Sequence, residues 1–456
     1  MDTGQVRLAP LTVIFGANSA GKSSLGHLLL ALKQTALSSD RSRALHLGDE
    51  NSLIDLGTFD DCLHGHDLTK TLGFCFEWTL SDKLRVQDPV NPASKFSGNR
   101  MHLDVKINAD SRTHQPRVSS VRYELSGDGQ VTLDVSLDKT ADDQFELRSE
   151  RYDFKRSVGR RSGQEGPEKF YRLSDVTMAR YRNAGFMSDF SLATEEMLDS
   201  IYYLGPLRKH PSRIYQWSGD TPRSVGQSGE SVVSAILAAQ SAGRRILSGS
   251  AKRAKPFDEL VALWLKSLGV IHDFSVRAVA KGRKEYEVLV RTHPRSPEVK
   301  ITDVGFGVSQ VLPALVQAFY CPPNSTVWME QPEIHLHPQV QAELADVFIA
   351  AIKARENGEP RNTQLIIESH SEHFLNRLLR RVAEEMITPD DIAVYFCRPT
   401  GNATELEPLQ LDEYGEIENW PDNFFGDEMA DIAARSRAAL VRKKRAKQSS
   451  SGIGAL

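Results

Sequence analysis

The residues best suited to chemistry lie together near the N-terminus, in the segment Gly16-Ala-Asn-Ser-Ala-Gly-Lys-Ser23. This G-x-x-x-x-G-K-S spacing lets backbone N–H groups surround a phosphate, while Lys22 supplies positive charge and the Ser23 hydroxyl ligates Mg²⁺. An apolar run at residues 11–15 precedes the segment and a stripe of helical spacing follows it, so a chance match is the weaker alternative. We therefore predict a nucleotide site. Its expected binding residues are Gly16, Asn18, Ser19, Ala20, Gly21, Lys22, Ser23 and Ser24.

A second candidate segment comes much later in the chain and runs Thr326-Val-Trp-Met-Glu330-Gln331-Pro332-Glu333. A nucleotide site of this kind needs an acid at the end of another buried strand to hold Mg²⁺. Glu330 is the candidate for that acid, so Ser23 and Glu330 are the predicted metal residues. Because a compact P-loop domain would place the two segments closer together, we expect the residues between them to be an insertion.

The elements that must position these residues alternate between strand and helix. Residues 326–329, 365–367 and 392–397 are predicted strands, and the apolar stripes between them have helical spacing. Such alternation is typical of a parallel sheet covered by helices.

The segment between the two candidate sites has a different pattern. From about residue 72 to 155 the apolar residues alternate with polar ones, and the Gly-Asp-Gly turn at 127–129 predicts a hairpin. A second hairpin is expected over residues 274–290, and helices are expected around residues 190–202 and 229–270.

The overall composition excludes several classes of protein. With 56 Lys+Arg against 60 Asp+Glu the net charge is −4, so any contact with nucleic acid or anionic lipid must come from a local patch. Four cysteines without a C-x-x-C spacing argue against a disulfide scaffold or a zinc ribbon. No apolar run approaches the ~20 residues of a membrane helix, and no secretory signal is evident. We therefore expect a soluble, cytoplasmic protein.

Two basic segments and a pair of histidines offer other chemistry. Residues 151–182 contain nine Lys/Arg against four Asp/Glu with aromatic residues between them, which would suit nucleic acid, although a solvated surface is the favoured interpretation. Residues 435–447 carry seven basic residues and no acid, and would suit nucleic acid, a protein partner or neither. His335 and His337 beside Glu333 lack the third ligand that a zinc site needs.

Four segments in this order also resemble a known family. They are the loop around Lys22, Asp303-Val-Gly-Phe-Gly-Val-Ser-Gln310, Glu330-Gln-Pro-Glu-Ile-His-Leu-His-Pro338 and Glu368-Ser-His370-Ser-Glu-His373. Together they resemble the ABC-like ATPase heads of the OLD/RecF group, often classed as AAA-family ATPases. The resemblance implies an α/β fold: a P-loop NTPase head of ABC-ATPase type with an inserted antiparallel β region and a helical segment. Residues 411–425 resemble a small module of unknown function that follows some of these heads.

The resemblance also implies roles for particular residues. Gly305, Gly307 and Ser309 resemble the signature loop, which in this group covers the γ-phosphate of ATP bound to a second subunit. Glu330 is similar to the Mg²⁺-associated acid, and His370 resembles the switch histidine that senses the γ-phosphate. The segment Tyr203-Leu-Gly-Pro-Leu-Arg208 resembles a recurrent segment of the group, for which a packing role and a functional role are equally open.

One position departs from the pattern of the family. After Glu330, where many relatives carry the glutamate that polarises water, this chain has Gln331. An amide cannot accept a proton, so the general base is either lost or moved to a residue such as Glu333. Alternatively, Gln331 orients water, as a glutamine does in some GTPases. The predicted catalytic residues are Glu330, Gln331, Glu333 and His370.

Together, the residues and the resemblance predict a protein that binds and hydrolyses Mg·ATP as an oligomeric switch. The resemblance implies a homodimer or higher homo-oligomer and a role in DNA repair or phage defence, exerted through a separate effector protein such as a nuclease; nucleic acid is left open as a partner. The alternative, an ATPase subunit of a membrane transporter, is weaker because the signature lacks the Leu-Ser-Gly-Gly-Gln form. The expected domains are a head at 1–400 with its insertion at about 72–300, a module at 401–430 and a basic tail at 431–456.

Overall fold

The structure is a computed structural model that describes residues 3–140, 142, 144–157, 165–249, 251–305, 307–401, 403–421 and 437–439. In chain order, the strands are β1 Leu11–Gly16, β2 Leu72–Gln87, β3 Lys95–Ala109, β4 Pro116–Gly127, β5 Gln130–Lys139, β6 Phe145–Arg148, β7 Ile201–Leu204, β8 Tyr215–Gln216, β9 Arg245–Leu247, β10 Lys255–Pro256, β11 Asp273–Ala278, β12 Glu285–Arg291, β13 Val299–Lys300, β14 Thr326–Glu330, β15 Arg355–Glu356, β16 Glu359–Pro360, β17 Gln364–Glu368, β18 Ile392–Thr400 and β19 Ala403–Leu409. The α-helices are α1 Ser23–Leu37, α2 Asp175–Met178, α3 Met187–Asp199, α4 Val232–Ser241, α5 Phe257–Ser267, α6 Gly307–Tyr320, α7 Pro338–Ile352 and α8 Glu372–Ala383.

A six-stranded sheet forms the centre of the molecule, with the strand order β19-β18-β1-β17-β14-β7. All neighbouring pairs are parallel except β18 with β19. The prediction of a helix-covered parallel sheet is therefore confirmed, and the fold is α/β. Because parallel strands end at the same edge, the C-terminal ends of β1, β17 and β14 meet there.

Both faces of this sheet are buried, as the apolar strand sequences require. Along β14, Val327 and Met329 belong to one hydrophobic cluster and Trp328 to the other. The first cluster includes residues of α4–α8, and the second includes residues of α1, α3 and the β2–β6 region. The sheet thus separates two hydrophobic cores. The loops that follow the strands lie along the edge at which the parallel strands end.

Strands β2–β6 form a separate antiparallel sheet in simple sequential order. The predicted hairpin around residues 127–129 is confirmed by the pairing of β4 with β5, and the second hairpin by the pairing of β11 with β12. Strands β8 and β13 also pair with β12, and β10, β9, β15 and β16 form a further small sheet. None of the helices among the described residues has the length and apolar content needed to cross a lipid bilayer.

Three features differ from the sequence-based expectation. The helix predicted around 190–202 ends at Asp199, and the next residues form β7 at the edge of the central sheet, within the segment 72–300 that we expect to be an insertion. The stretch 229–270 contains two helices, α4 and α5, with β9 and β10 between them. Finally, β19 pairs with β18 along its whole length, so a boundary at residue 401 divides a hairpin of the central sheet.

Candidate nucleotide-binding site

The loop between β1 and α1 has the backbone that the glycine spacing predicts. Gly16 and Gly21 have φ angles of 151° and 87°, where glycine is strongly preferred, and Ser19 has a φ of 60°. A Cβ at Gly16 would lie 2.6 Å from the carbonyl oxygen of Cys397, so only glycine fits there. The predicted nucleotide-binding residues from Gly16 to Ser24 therefore lie in one loop and the first turn of a helix, where N–H groups lack intrahelical partners.

The side chain of Lys22 lies along this loop and is only 8% exposed. Its Nζ donates hydrogen bonds to the carbonyl oxygens of Gly16 and Ala17, at 3.1 and 2.8 Å. Burial lowers the pKa of Lys22, and the opposing charge of Glu368 partly offsets this effect. The ammonium group is thus held where a phosphate in the loop would meet it.

Two acids lie side by side beneath the loop. Glu330 ends β14 and Glu368 ends β17, and the two residues are direct partners in the register of the parallel pair. The hydroxyl of Ser23 donates a hydrogen bond to Glu368 Oε2 at 2.7 Å, and the indole Nε1 of Trp328 donates to Glu368 Oε1 at 3.0 Å. Burial raises the pKa of Glu368 to about 7, and the neighbouring charge of Glu330 adds to the effect.

Sequence reasoning assigned no role to Glu368. The signal was available, because Glu368 follows the apolar run at 365–367 just as Glu330 follows the one at 326–329. An acid at the end of a buried strand was the criterion that selected Glu330, and the same criterion also selects Glu368.

Glu330 receives its own contacts from β7 and from the segment that follows this strand. The hydroxyl of Tyr203 donates to Glu330 Oε1 at 2.8 Å, and Nη2 of Arg208 donates to the carbonyl oxygen of Glu330 at 3.2 Å. His27 of α1 places its Nε2 3.9 Å from Glu330 Oε1. Tyr203 and Arg208, whose role the sequence left open, therefore contact the candidate site.

Gln331 and Glu333 occupy different surroundings. Gln331 has a φ of 44° and its N–H donates to the carbonyl oxygen of Glu368 at 2.9 Å, which fixes the turn after β14. Glu333 is only 5% exposed, and its Oε1 accepts hydrogen bonds from Ser369 Oγ at 2.8 Å and from the N–H of His370 at 2.7 Å. Burial raises the pKa of Glu333. Its carboxyl group therefore connects the turn after β14 to the turn after β17.

His370 stands at the start of the turn that leads into α8. Burial lowers the pKa of His370, and the positive charge of Lys22 acts in the same direction. Ser371 caps α8, since its hydroxyl accepts from the N–H of Phe374. The backbone on both sides of His370 is thus fixed by hydrogen bonds.

The predicted signature residues lie at the start of a helix, as expected. Helix α6 begins at Gly307, and Ser309 in its first turn is buried. A Cβ at Gly305 would meet open space, whereas one at Gly307 would touch the side chain of Leu336. Nearby, Asp303 forms an ion pair with Arg213 at 2.8 Å. Phe306 lies outside the described residues.

His337 has a structural role at the start of a helix. His337 caps α7, its Nδ1 accepting from the N–H of Gln339, and among the described residues the histidines at 335 and 337 do not form a metal-binding group with Glu333.

The aromatic residues of the basic segment 151–182 pack in the core. Tyr152, Phe170, Tyr171 and Tyr181 are all buried and are therefore not exposed for stacking on nucleic-acid bases. Apart from residues 437–439, the basic tail lies outside the described residues.

Comparison with known families gives two matches. Residues 230–375, which contain α6, Glu330 and His370, match the model of the AAA ATPase domain. Residues 387–434 match the model of a protein of unknown function, DUF3696. The matched residues do not include the loop at Gly16–Ser23, which the pairing of β1 with β17 places beside them.

Solved structures with similarity to the chain include two heads of SMC proteins. One is an SMC head bound to the C-winged helix domain of ScpA, with 11% identity and a TM-score of 0.35, covering 90% of this chain and 93% of the other. The other is the SMC head domain from Thermotoga maritima, with 10% identity and a TM-score of 0.35, covering 89% and 93%. No curated protein matches the sequence.

Proposed function

We propose that this protein is an ATPase that binds Mg·ATP at the loop between β1 and α1 and hydrolyses it. One observation carries the proposal: Lys22, Ser23, Glu330 and Glu368 converge at the C-terminal ends of neighbouring parallel strands. Ligands of open α/β sheets bind at this edge. A positive charge, a hydroxyl and strand-terminal acids are the groups that a nucleoside triphosphate with its cation requires.

Each side chain has a distinct task in this proposal. Lys22 exchanges its two carbonyl partners for phosphate oxygens, and the first turn of α1 offers its N–H groups to the same phosphate. Ser23 and Glu330 hold the Mg²⁺, which when bound neutralises charge on the β- and γ-phosphates. His370 senses the γ-phosphate, and Glu333 positions it by holding its backbone N–H.

We further propose that a second copy of the chain completes the site. Gly305, Gly307 and Ser309 present a helix N-terminus, which suits a phosphate because its N–H groups and dipole point toward the charge. In this arrangement ATP joins two copies, and hydrolysis separates them. The resemblance to the OLD/RecF group supports a switch of this kind that controls a separate effector in DNA repair or phage defence.

The test of Mg·ATP binding is the variant Lys22→Ala. Removing a charged hydrogen-bond donor costs about 1.5–3 kcal/mol, so binding should weaken by about 10- to 100-fold in titration calorimetry. The matched control is Lys281→Ala in the exposed turn between β11 and β12, which should bind ATP like the wild type. Undiminished affinity in Lys22→Ala would contradict the proposal.

A further inference from the structure

Glu368 is the residue of the candidate site to which neither the sequence nor the family resemblance assigns a task. It is 2% exposed, lies at the end of β17 between β1 and β14, and contacts Ser23 directly. We propose that Glu368 is a second carboxylate of the Mg²⁺ site and that it orients the hydroxyl of Ser23 toward the cation. This inference rests on the proposed function, since it concerns the same Mg·ATP site.

The hydrogen bond from Ser23 gives the first argument. A serine hydroxyl has one proton and two lone pairs. Since the proton is donated to Glu368 Oε2 at 2.7 Å, the lone pairs of the Ser23 oxygen point elsewhere and are available to a cation. Glu368, rather than Glu330, is the acid that makes this contact.

The pairing of two acids gives the second argument. Glu330 and Glu368 are register partners on adjacent strands, and both side chains are buried. Within the described part of the chain, the hydrogen bonds to their carboxyl groups come from the neutral side chains of Tyr203, Trp328 and Ser23. Lys22 and Arg208 lie near the two acids, but the hydrogen bonds that they donate within the described residues go to backbone carbonyl oxygens, which leaves the carboxylates able to bind a divalent cation.

The rigidity of Glu368 gives the third argument. Its Oε1 is held by the indole N–H of Trp328, whose ring packs against α1 at Gly26. A Cβ at Gly26 would lie 2.3 Å from this ring, so the close approach depends on glycine. The chain therefore fixes the carboxylate between a strand and the helix that follows the phosphate loop, and a metal site needs such preorganisation.

The experiment compares the Mg²⁺ dependence of nucleotide binding in the wild type and in Glu368→Gln. The probe is N-methylanthraniloyl-ATP fluorescence, titrated with MgCl₂, together with Mn²⁺ binding followed by electron paramagnetic resonance with the same nucleotide. Loss of a group that orients a metal ligand costs about 10- to 100-fold in metal affinity, so the half-saturating concentrations of both cations should rise by this factor. Binding of the nucleotide in EDTA should be no weaker than in the wild type, because the variant removes a negative charge beside the phosphate loop.

The matched control is Glu359→Gln, which changes an exposed glutamate of β16 and should leave both cation titrations unchanged. In EDTA, Glu368→Gln should unfold at no lower temperature than the wild type, because it removes one of two adjacent buried acids. A lower unfolding temperature combined with a wild-type Mg²⁺ dependence would make Glu368 a purely structural residue and overturn the inference.

A second variant, Glu368→Asp, and the wild type distinguish a failure of this inference from a failure of the proposed function. Glu368→Asp keeps the negative charge but shortens the side chain by one methylene group. It should therefore also raise the half-saturating cation concentrations, by a smaller factor than Glu368→Gln. If Glu368→Gln does not fold, an unchanged cation dependence in Glu368→Asp would overturn the inference. If the wild type itself binds no nucleotide with Mg²⁺ present, the proposed function fails; if it binds and Glu368→Gln behaves identically, only this inference fails.

Discussion

At the scale of single residues, Glu333 and Gln331 follow the same strand but face different partners. Glu333 is buried, and one of its oxygens already accepts two hydrogen bonds from the turn that carries His370. Gln331 is only partly buried and lies next to the end of β14. A general base must have a free acceptor within reach of water. The position of Gln331 meets this requirement better than that of Glu333.

We therefore expect Gln331→Glu to accelerate ATP hydrolysis. General-base help is typically worth about 10²–10⁴-fold, and even a partly misplaced carboxylate should be visible in steady-state ATPase assays. Glu333→Ala should instead lower turnover and destabilise the protein, by about 1–3 kcal/mol, because it leaves the buried Ser369 hydroxyl and the His370 N–H without their acceptor. Gln130→Glu, at the exposed start of β5, serves as the control.

The opposite pattern would identify Glu333 as the base. In that case Gln331→Glu would change little, and Glu333→Gln would lose activity without a loss of stability in thermal unfolding. Measuring both turnover and stability for each variant therefore distinguishes a base from a positioning residue.

At the scale of elements, the contact between α1 and β14 depends on one small residue. Glycine to alanine within a helix normally stabilises by about 1 kcal/mol. At Gly26 the sign should reverse, because the added methyl group would overlap the indole of Trp328. Overpacking of this kind typically costs about 1–3 kcal/mol.

The corresponding measurement is chemical unfolding of Gly26→Ala. Displacement of Trp328 should also weaken its hydrogen bond to Glu368, so Mg·ATP affinity should fall together with stability. Gly185→Ala is the control, because a Cβ at Gly185 meets no atom within 4 Å. An equally stable or more stable Gly26→Ala would mean that α1 shifts freely on the sheet.

The sequence predicted elements well where the pattern was local. The loop at Gly16–Ser23, the strand ending at Glu330 and both hairpins have patterns carried by neighbouring residues, and the structure has each of them. Strand β7 was missed because its four residues directly continue a helical stripe, and only the distant pairing with β14 makes them a strand. The proximity of Glu330 to Glu368 depends on strand order, which no local pattern contains.

At the scale of the whole molecule, the proposed pairing of two copies can be tested at Gly305. This residue precedes α6 and an added side chain would meet open space within one chain. Gly305→Arg should therefore fold and bind ATP, but it should prevent ATP-induced association and lower turnover because the arginine would occupy the shared interface. Sedimentation velocity with and without ATP measures the association.

Gly185→Arg, also at an open glycine, is the matched control and should associate like the wild type. If Gly305→Arg still associates with ATP and hydrolyses it at the wild-type rate, the signature residues do not complete a site on a second copy.

The strand order of the central sheet also determines when the protein can fold during its synthesis. Among the described residues, the partners of β1 are β17 and β18, which leave the ribosome long after it, while the β2–β6 sheet pairs within itself. At roughly 5–20 residues per second, β1 waits on the order of 20–70 s for its partners. During this time the phosphate loop has no sheet behind it, and an apolar strand is exposed. The candidate nucleotide site can therefore form only after these later strands have emerged.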